Sequence, residues 1–332
     1  VQAHEIQGVT ALENAFNRVG LDHVMLVRIA STVVAAKMLG GSREEVLNAA
    51  SHAWIDGCSL RTYRHAPNTG SRKSWAAGDA SSRGVHLALI ALTGEMGYPS
   101  ALTAKTWGFQ DSLFRGNELK FSQGFGSYVM ENILFKISFP AEFHAQTAVE
   151  CAMQLHPAVK DRLDQIERIE IETQEAGCRI IDKTGPMNNY ADRDHCIQYM
   201  VAVPLIKGSL TASDYGDAAA ADPRIDALRA ITTVKENPRF SKEYLEADKR
   251  YIGNSVQVFF KDGSSTEKVS IDAPIGHRLR RGEGIPVLVK KFEAAIASKL
   301  SAKKCAALNA MCGDQARLEA TPVQDFMGLF TV

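Results

Sequence analysis

The chain has 332 residues, 45% hydrophobic and 23% charged, enough apolar material for a folded core shared between two domains. Lys plus Arg and Asp plus Glu both number 38, so the balance of charge argues against nucleic acid or an anionic membrane as partner. No apolar run approaches the roughly 20 residues needed to cross a bilayer, and the six cysteines (58, 151, 178, 196, 305 and 312) form no Cys-x-x-Cys pair, which points to reduced, packed thiols in an intracellular protein and away from an iron–sulfur cluster. The first 20 residues open on Val1 rather than Met and mix Glu5, Glu13 and Arg18 with apolar residues, unlike a signal or transit peptide; they read as a start inside a longer folded protein.

Residues 24–39 are apolar nearly all round and run into Gly40-Gly41, the pattern of a buried helix with a glycine stop. Ser42 and Glu45 have capping-box spacing and predict a second helix through about Asp56. Next, Arg61, Arg64, His65, Arg72 and Lys73 crowd around the turn formers Pro67, Asn68 and Gly70, so this stretch reads as a loop. A chain without net charge has no general need for such a cluster. A small ligand with several carboxylates would need one, because Arg offers a bidentate fork and Lys a point charge. A third helix is expected from Asp79 to about Gly94.

The pattern changes after about residue 135. Ile169, Ile171 and Thr173 alternate with Glu170, Glu172 and Gln174, the period of a half-buried strand. Asp262-Gly263 between the strand-like runs 255–260 and 266–271 predicts a hairpin. Helical segments are expected near 145–155 and 192–207, giving an α+β region with an antiparallel sheet. Ile285, Leu288, Phe292, Ile296 and Leu300 then restore a helical period, read as a C-terminal helix that rejoins the first domain and makes the strand-containing part an insertion.

Candidate chemistry follows the same order. His23, just before the first buried helix, could be a general base kept neutral by the positive helix end, or a capping or core histidine; its context alone favours the second. Lys136 lies among Phe135, Ile137 and Phe139 and must snorkel or meet an anion. His195 and Tyr199 are i, i+4 on an expected helix, a proton-donor arrangement or a hydrogen-bonded core pair, the latter favoured by the residues alone. Gly124-Phe-Gly126 lacks the rest of a dinucleotide fingerprint, and neither zinc spacing nor a Gly-x-Ser-x-Gly elbow is present. His, Lys, Tyr and Arg without metal or nucleotide suit proton abstraction beside a carboxylate, with cations holding the charge that develops.

Four long motifs in order carry a resemblance: Arg61–Ala80, Gly94–Thr103, Gly126–His144 and Ala191–Val201, extended by Ile275–Arg281. They closely resemble the MmgE/PrpD family, that of the iron–sulfur-independent 2-methylcitrate dehydratases. The resemblance implies a mainly α fold with an α+β lid: a helical domain from residues 1–134 and 279–332, and a lid at 135–278. It implies a homodimer, no metal or other cofactor, and a further helical segment ahead of Val1 that brings an Asp and a second His to the site. It also implies that His23, Lys73, Lys136 and Tyr199 are catalytic, reversing the residue-only preference for His23 and Tyr199. Arg61, Arg64 and Arg72, on charge and placement, and His144 are assigned to substrate binding.

The implied reaction is loss of water from the tricarboxylate 2-methylcitrate to give 2-methyl-cis-aconitate in propionate breakdown, with citrate as a further substrate. A histidine removes the C–H proton, Lys73 and Lys136 stabilise the developing dianion, and Tyr199 serves the departing hydroxyl. The compartment would be the mitochondrial matrix in a eukaryote or the cytoplasm in a bacterium. Two alternatives remain: a cis-aconitate decarboxylase-like lyase of the same family, and an inactive fragment that retains anion binding.

Overall fold

The computed structural model describes residues 1–56, 59–65, 69–137 and 139–331; the expected turn at Pro67 and Asn68, and Cys58, lie outside them. The described chain forms two compact units. The first comprises residues 1–133, 179–199 and 213–230; the second comprises 134–178, 200–212 and 231–332.

In the first unit, helices α1 (Gln2–Leu12), α2 (Val24–Met38), α3 (Arg43–Ile55) and α4 (Arg72–Ala91) pack around α2. The core joins Phe16, Leu21, Met25, Leu26, Ile29 and Leu87 with Phe109 and Phe114. Farther along α2, an alanine layer of Ala36, Ala49, Ala88 and Ala91 lets α2, α3 and α4 approach closely. Gly84 has the same effect on one spot of α4: a Cβ there would lie 2.8 Å from the Arg28 carbonyl oxygen of α2. Helix α2 ends at Met38, followed by Gly40 at φ +91°, and both halves of the Ser42–Glu45 capping box are present. Burial of α2 is less complete than its apolar sequence suggests, since Met38 is 81% exposed and Val33 and Val34 line an open apolar recess of about 390 Å³. Helix α4 starts at Arg72, seven residues ahead of the expected Asp79, so Lys73 sits in a first helical turn and not in a loop.

The second unit contains a four-stranded sheet in the order β2-β1-β3-β4, made of β1 (Ile166–Thr173), β2 (Thr232–Glu236), β3 (Asn254–Phe260) and β4 (Val269–Ile271). Strand β3 runs antiparallel to both β1 and β4, and the Asp262-Gly263 turn has Gly263 at φ +84°. The sheet is mixed, however, and not wholly antiparallel: β1 pairs in parallel with β2, with Ile169 opposite Thr232. Parallel pairing needs a long crossover, here residues 174–231. The short, half-exposed β2 (Thr-Thr-Val-Lys-Glu) carries too little apolar alternation to announce itself. Helix Gln146–Val159 packs on this sheet, with the buried Cys151 Sγ 3.8 Å from the Asn254 carbonyl oxygen at the start of β3.

The units do not follow the expected boundaries. Residues 279–332 group with the second unit: a Cβ on Gly284 would lie 2.5 Å from the Ile275 carbonyl oxygen and 2.9 Å from Ile137, so helix Arg281–Ala297 rests on that unit's own chain. Residues 179–199 group with the first unit, where Asn189 donates to the Thr69 carbonyl at 2.9 Å and Asp194 meets Lys73.

Candidate functional site

Two carboxylates of the first unit, Asp22 and Asp194, gather candidate residues around them. Asp22, fully buried, precedes α2 and takes the capping role considered for its neighbour: its Oδ1 accepts from the Val24 N–H at 3.0 Å. Arg64 Nε donates to Asp22 Oδ2 at 2.5 Å, and Arg61 Nη1 lies 3.6 Å from the same oxygen. Burial works to raise the Asp22 pKa, but the Arg64 hydrogen bond, His23 and the Val24 N–H outweigh it, so the carboxyl stays below its ordinary value.

His23 places Nδ1 3.4 Å from Asp22 Oδ1, and 59% of its side chain is exposed. Its pKa is lowered: crowding by protein comes first, Asp22 opposes it, and Arg64 and Arg61 add to the lowering. The shift favours the neutral base. The structure therefore brings His23, Arg61 and Arg64 together on Asp22. Arg64 itself is buried and bound to Asp22 and to the Tyr63 hydroxyl.

The second carboxylate is Asp194. Lys73 Nζ lies 2.7 Å from its Oδ1 and 2.5 Å from its Oδ2, and His195 Nδ1 lies 2.7 Å from Oδ1. A cation in the first turn of a helix opposes the helix dipole; Asp194 offsets that for Lys73. Burial tends to raise the Asp194 pKa, while His195 and Lys73 pull it below the usual carboxylate value. Arg72 is half exposed, stacks over Trp75 at 4.3 Å, reaches Asp79 at 3.5 Å and shares the Tyr63 ring with Arg64, the two guanidinium carbons lying 5.7 and 5.0 Å from its centre.

Tyr199 departs from expectation. The helix predicted across 192–207 is interrupted: residues Tyr190–Arg193 and Ile197–Lys207 are helical, and His195 falls in the break. His195 and Tyr199 thus do not share a helical face. Tyr199 is 1% exposed and donates its hydroxyl to the Asp214 carbonyl at 2.6 Å, with its ring 6.0 Å from that of Tyr215. Burial pushes its pKa up to about 12. This geometry makes Tyr199 an anchor for the 213–215 segment.

In the second unit, a Cβ on Gly276 would lie 1.7 Å from the Phe135 carbonyl oxygen, so glycine is required for the backbone contact beside Lys136. Lys136 is exposed, with Nζ 4.8 Å from the centre of the Phe143 ring, a cation–π contact. His144 is oriented by Glu142, whose Oε1 and Oε2 lie 2.9 and 3.0 Å from Nδ1, while Nε2 meets the Tyr244 hydroxyl at 3.3 Å.

Sequence reading missed Asp22, Asp194 and Lys183. Asp22 and Asp194 each stand directly before a histidine, the first at the start of α2 and the second at the end of the helix Tyr190–Arg193, a pairing that could have found them. Nothing local marks Lys183. Among the described residues, no group of three or more His, Cys, Asp or Glu side chains could hold a metal ion, and no helix is long and apolar enough to cross a membrane.

Two family models cover most of the chain: the MmgE/PrpD N-terminal domain matches residues 1–122 and the C-terminal domain residues 139–313. The chain belongs to the MmgE/PrpD family. Among curated relatives, the 2-methylcitrate dehydratase of Cupriavidus necator is 60% identical over 336 aligned residues, covering all of this chain and 69% of the relative. The 2-methylcitrate dehydratase of Escherichia coli is 58% identical with the same coverage. The mitochondrial 2-methylcitrate dehydratase of Yarrowia lipolytica is 64% identical over 295 residues, 88% of this MmgE/PrpD chain and 57% of the relative.

Proposed function

We propose that this MmgE/PrpD chain is a hydro-lyase that removes water from 2-methylcitrate to give 2-methyl-cis-aconitate in propionate breakdown. The observation that carries this reading is the 60% identity, over the whole chain, to a curated 2-methylcitrate dehydratase. The first unit's chemistry supports it. His23 is exposed, adjacent to the buried Asp22, and shifted toward the neutral form, which are the properties of a general base at neutral pH. Removing a proton beside a carboxylate adds negative charge, and preorganised cations are the means to hold it. Lys73 supplies one, fixed by Asp194; Arg61, 12% exposed and close to Asp22, supplies another.

Asp22 and Arg64 act here as positioning groups: the carboxylate orients His23, and the guanidinium keeps that carboxylate ionised. For the second unit, the proposal keeps Lys136 as an active-site cation and His144 as a substrate contact, in line with the family resemblance. A homodimer, and a mitochondrial matrix or bacterial cytoplasmic setting, belong to the same reading.

The test is incubation with 2-methylcitrate, following the ultraviolet absorbance of the conjugated product and, in parallel, carbon dioxide release. Absorbance growth without gas is the expected result. Gas release from a cis-alkene tricarboxylate would assign a decarboxylase instead, and no reaction would overturn the enzymatic reading. Sedimentation velocity tests the dimer.

A further inference from the structure

Lys183 is 8% exposed, the one buried lysine among the described residues. An ammonium group carries three donors and is strongly hydrated in water, so burying it is costly unless anions take its protons. Its hydrogen-bond partner is a neutral hydroxyl, Thr69 Oγ1, at 3.0 Å. The carboxylates whose fields reach it are Asp192 and Asp194. Asp194 is engaged by Lys73 and His195. Asp192, 2% exposed, accepts from Asn189 through Oδ2 at 3.1 Å, and its Oδ1 is buried with no hydrogen-bond partner.

Buried polar atoms are nearly always satisfied, and an orphan of this kind calls for an explanation. Here an incompletely satisfied ammonium and an orphaned carboxylate oxygen occur in the same network. The surroundings add positive charge: His65 has a lowered pKa, caused first by burial and then by Arg61, Lys183, His195 and Arg179. The backbone holds Lys183 firmly, since Cys196 Sγ lies 3.3 Å from its carbonyl oxygen and its N–H donates to Gln198 Oε1 at 3.3 Å. The main chain is therefore kept in place, while the side-chain charge meets only the Thr69 hydroxyl by hydrogen bond.

We propose that Lys183 is a carboxylate-binding residue of this site: it takes one carboxylate of a small hydroxy-polycarboxylate on the donors Thr69 leaves open, and Asp192 Oδ1 accepts that ligand's hydroxyl. This rests on the polycarboxylate reading given above and extends it to residues that reading did not use. Ligand binding would complete both partially satisfied groups at once. The charge would thus be retained for binding at the expense of stability in the ligand-free protein.

The test compares the unsubstituted chain with Lys183→Met and Asp192→Asn by calorimetric titration of citrate and of tricarballylate, which lacks the hydroxyl, alongside thermal unfolding without ligand. Lys183→Met is expected to weaken citrate roughly 10- to 100-fold, the loss of one charge-assisted contact. The ligand-free midpoint should stay level or rise, because an apolar chain of similar shape replaces a poorly paired buried charge. Asp192→Asn should weaken citrate more than tricarballylate.

Citrate affinity unchanged in Lys183→Met overturns the assignment. So does weakened binding accompanied by a lower ligand-free midpoint, which marks a structural lysine. Equal losses for both ligands in Asp192→Asn overturn the hydroxyl contact. Turnover of 2-methylcitrate by the unsubstituted chain is measured separately: turnover with normal Lys183→Met binding rejects Lys183 alone, whereas Lys183-dependent citrate binding without turnover rejects the dehydratase and supports Lys183. No citrate binding by the unsubstituted chain rejects both.

Discussion

Asp22→Asn tests the centre of the first unit. The substitution keeps the size of the side chain and leaves Oδ1 able to accept from the Val24 N–H. It removes the charge that Arg64 meets at 2.5 Å and Arg61 at 3.6 Å. Asp22 is fully buried and the Arg64 side chain is 11% exposed, so water cannot replace the lost carboxylate. Removing one partner of such a buried pair costs about 3–5 kcal/mol, whereas an exposed pair costs about 0–1 kcal/mol. The assay is urea unfolding followed by circular dichroism, with the loss read as a shift in midpoint at constant slope. The double variant Asp22→Asn/Arg64→Met, which leaves no orphaned guanidinium at 64, should recover more than half of that loss. A loss below about 1 kcal/mol for the single variant, the range of a surface pair, would refute the view that this pair is desolvated and structural.

Further outcomes are expected. Lys73→Ala should lower kcat by roughly 10²-fold or more, the cost of losing one preorganised charge contact, with the circular dichroism spectrum retained; near-normal turnover would remove Lys73 from the mechanism. The His23 pKa lies below the usual imidazole value, so the base is neutral above that value and is lost only as pH falls through the lowered one. The acid limb of kcat/KM should accordingly lie below about pH 6.5; a limb above it would identify another group as the base. The same sign governs stability. For His23, the unfolded chain binds a proton first as pH falls, so its contribution is present above the unfolded value and declines below it. For Asp22, also lowered, the contribution persists to more acid pH and is lost as pH falls through the folded value. Tyr199→Phe should leave kcat within about tenfold and cost about 1–3 kcal/mol, since it strips the donor from the buried Asp214 carbonyl; a collapse of kcat with full stability would assign Tyr199 as a proton donor. Gly84→Ala should cost about 1–3 kcal/mol in the unfolding assay by forcing α4 away from the Arg28 carbonyl; an unchanged midpoint would show that the helices yield.

Local physics reached far along this chain. The glycine stop after α2, the Ser42–Glu45 capping box, the alternation of β1 and the Asp-Gly hairpin each depend on a few adjacent residues, and all are present in the structure. Long motifs also carried the family, because they preserve residue identities over tens of positions. Other features needed the fold. The parallel β1–β2 pairing joins segments separated by a long crossover, and a five-residue half-exposed strand has no pattern strong enough to reveal it. The placement of residues 179–199 with the first unit depends on partners about 120 residues away, as in Asn189 with Thr69 and Asp194 with Lys73. The sequence by itself determined which charges exist and that they suit a polycarboxylate. Only the tertiary structure decided which of them face one another: Arg64 on Asp22, Tyr199 against a backbone carbonyl, and Lys183 buried with its charge incompletely met. Those outcomes depend on burial and distance between remote segments, and no window of neighbouring residues contains either.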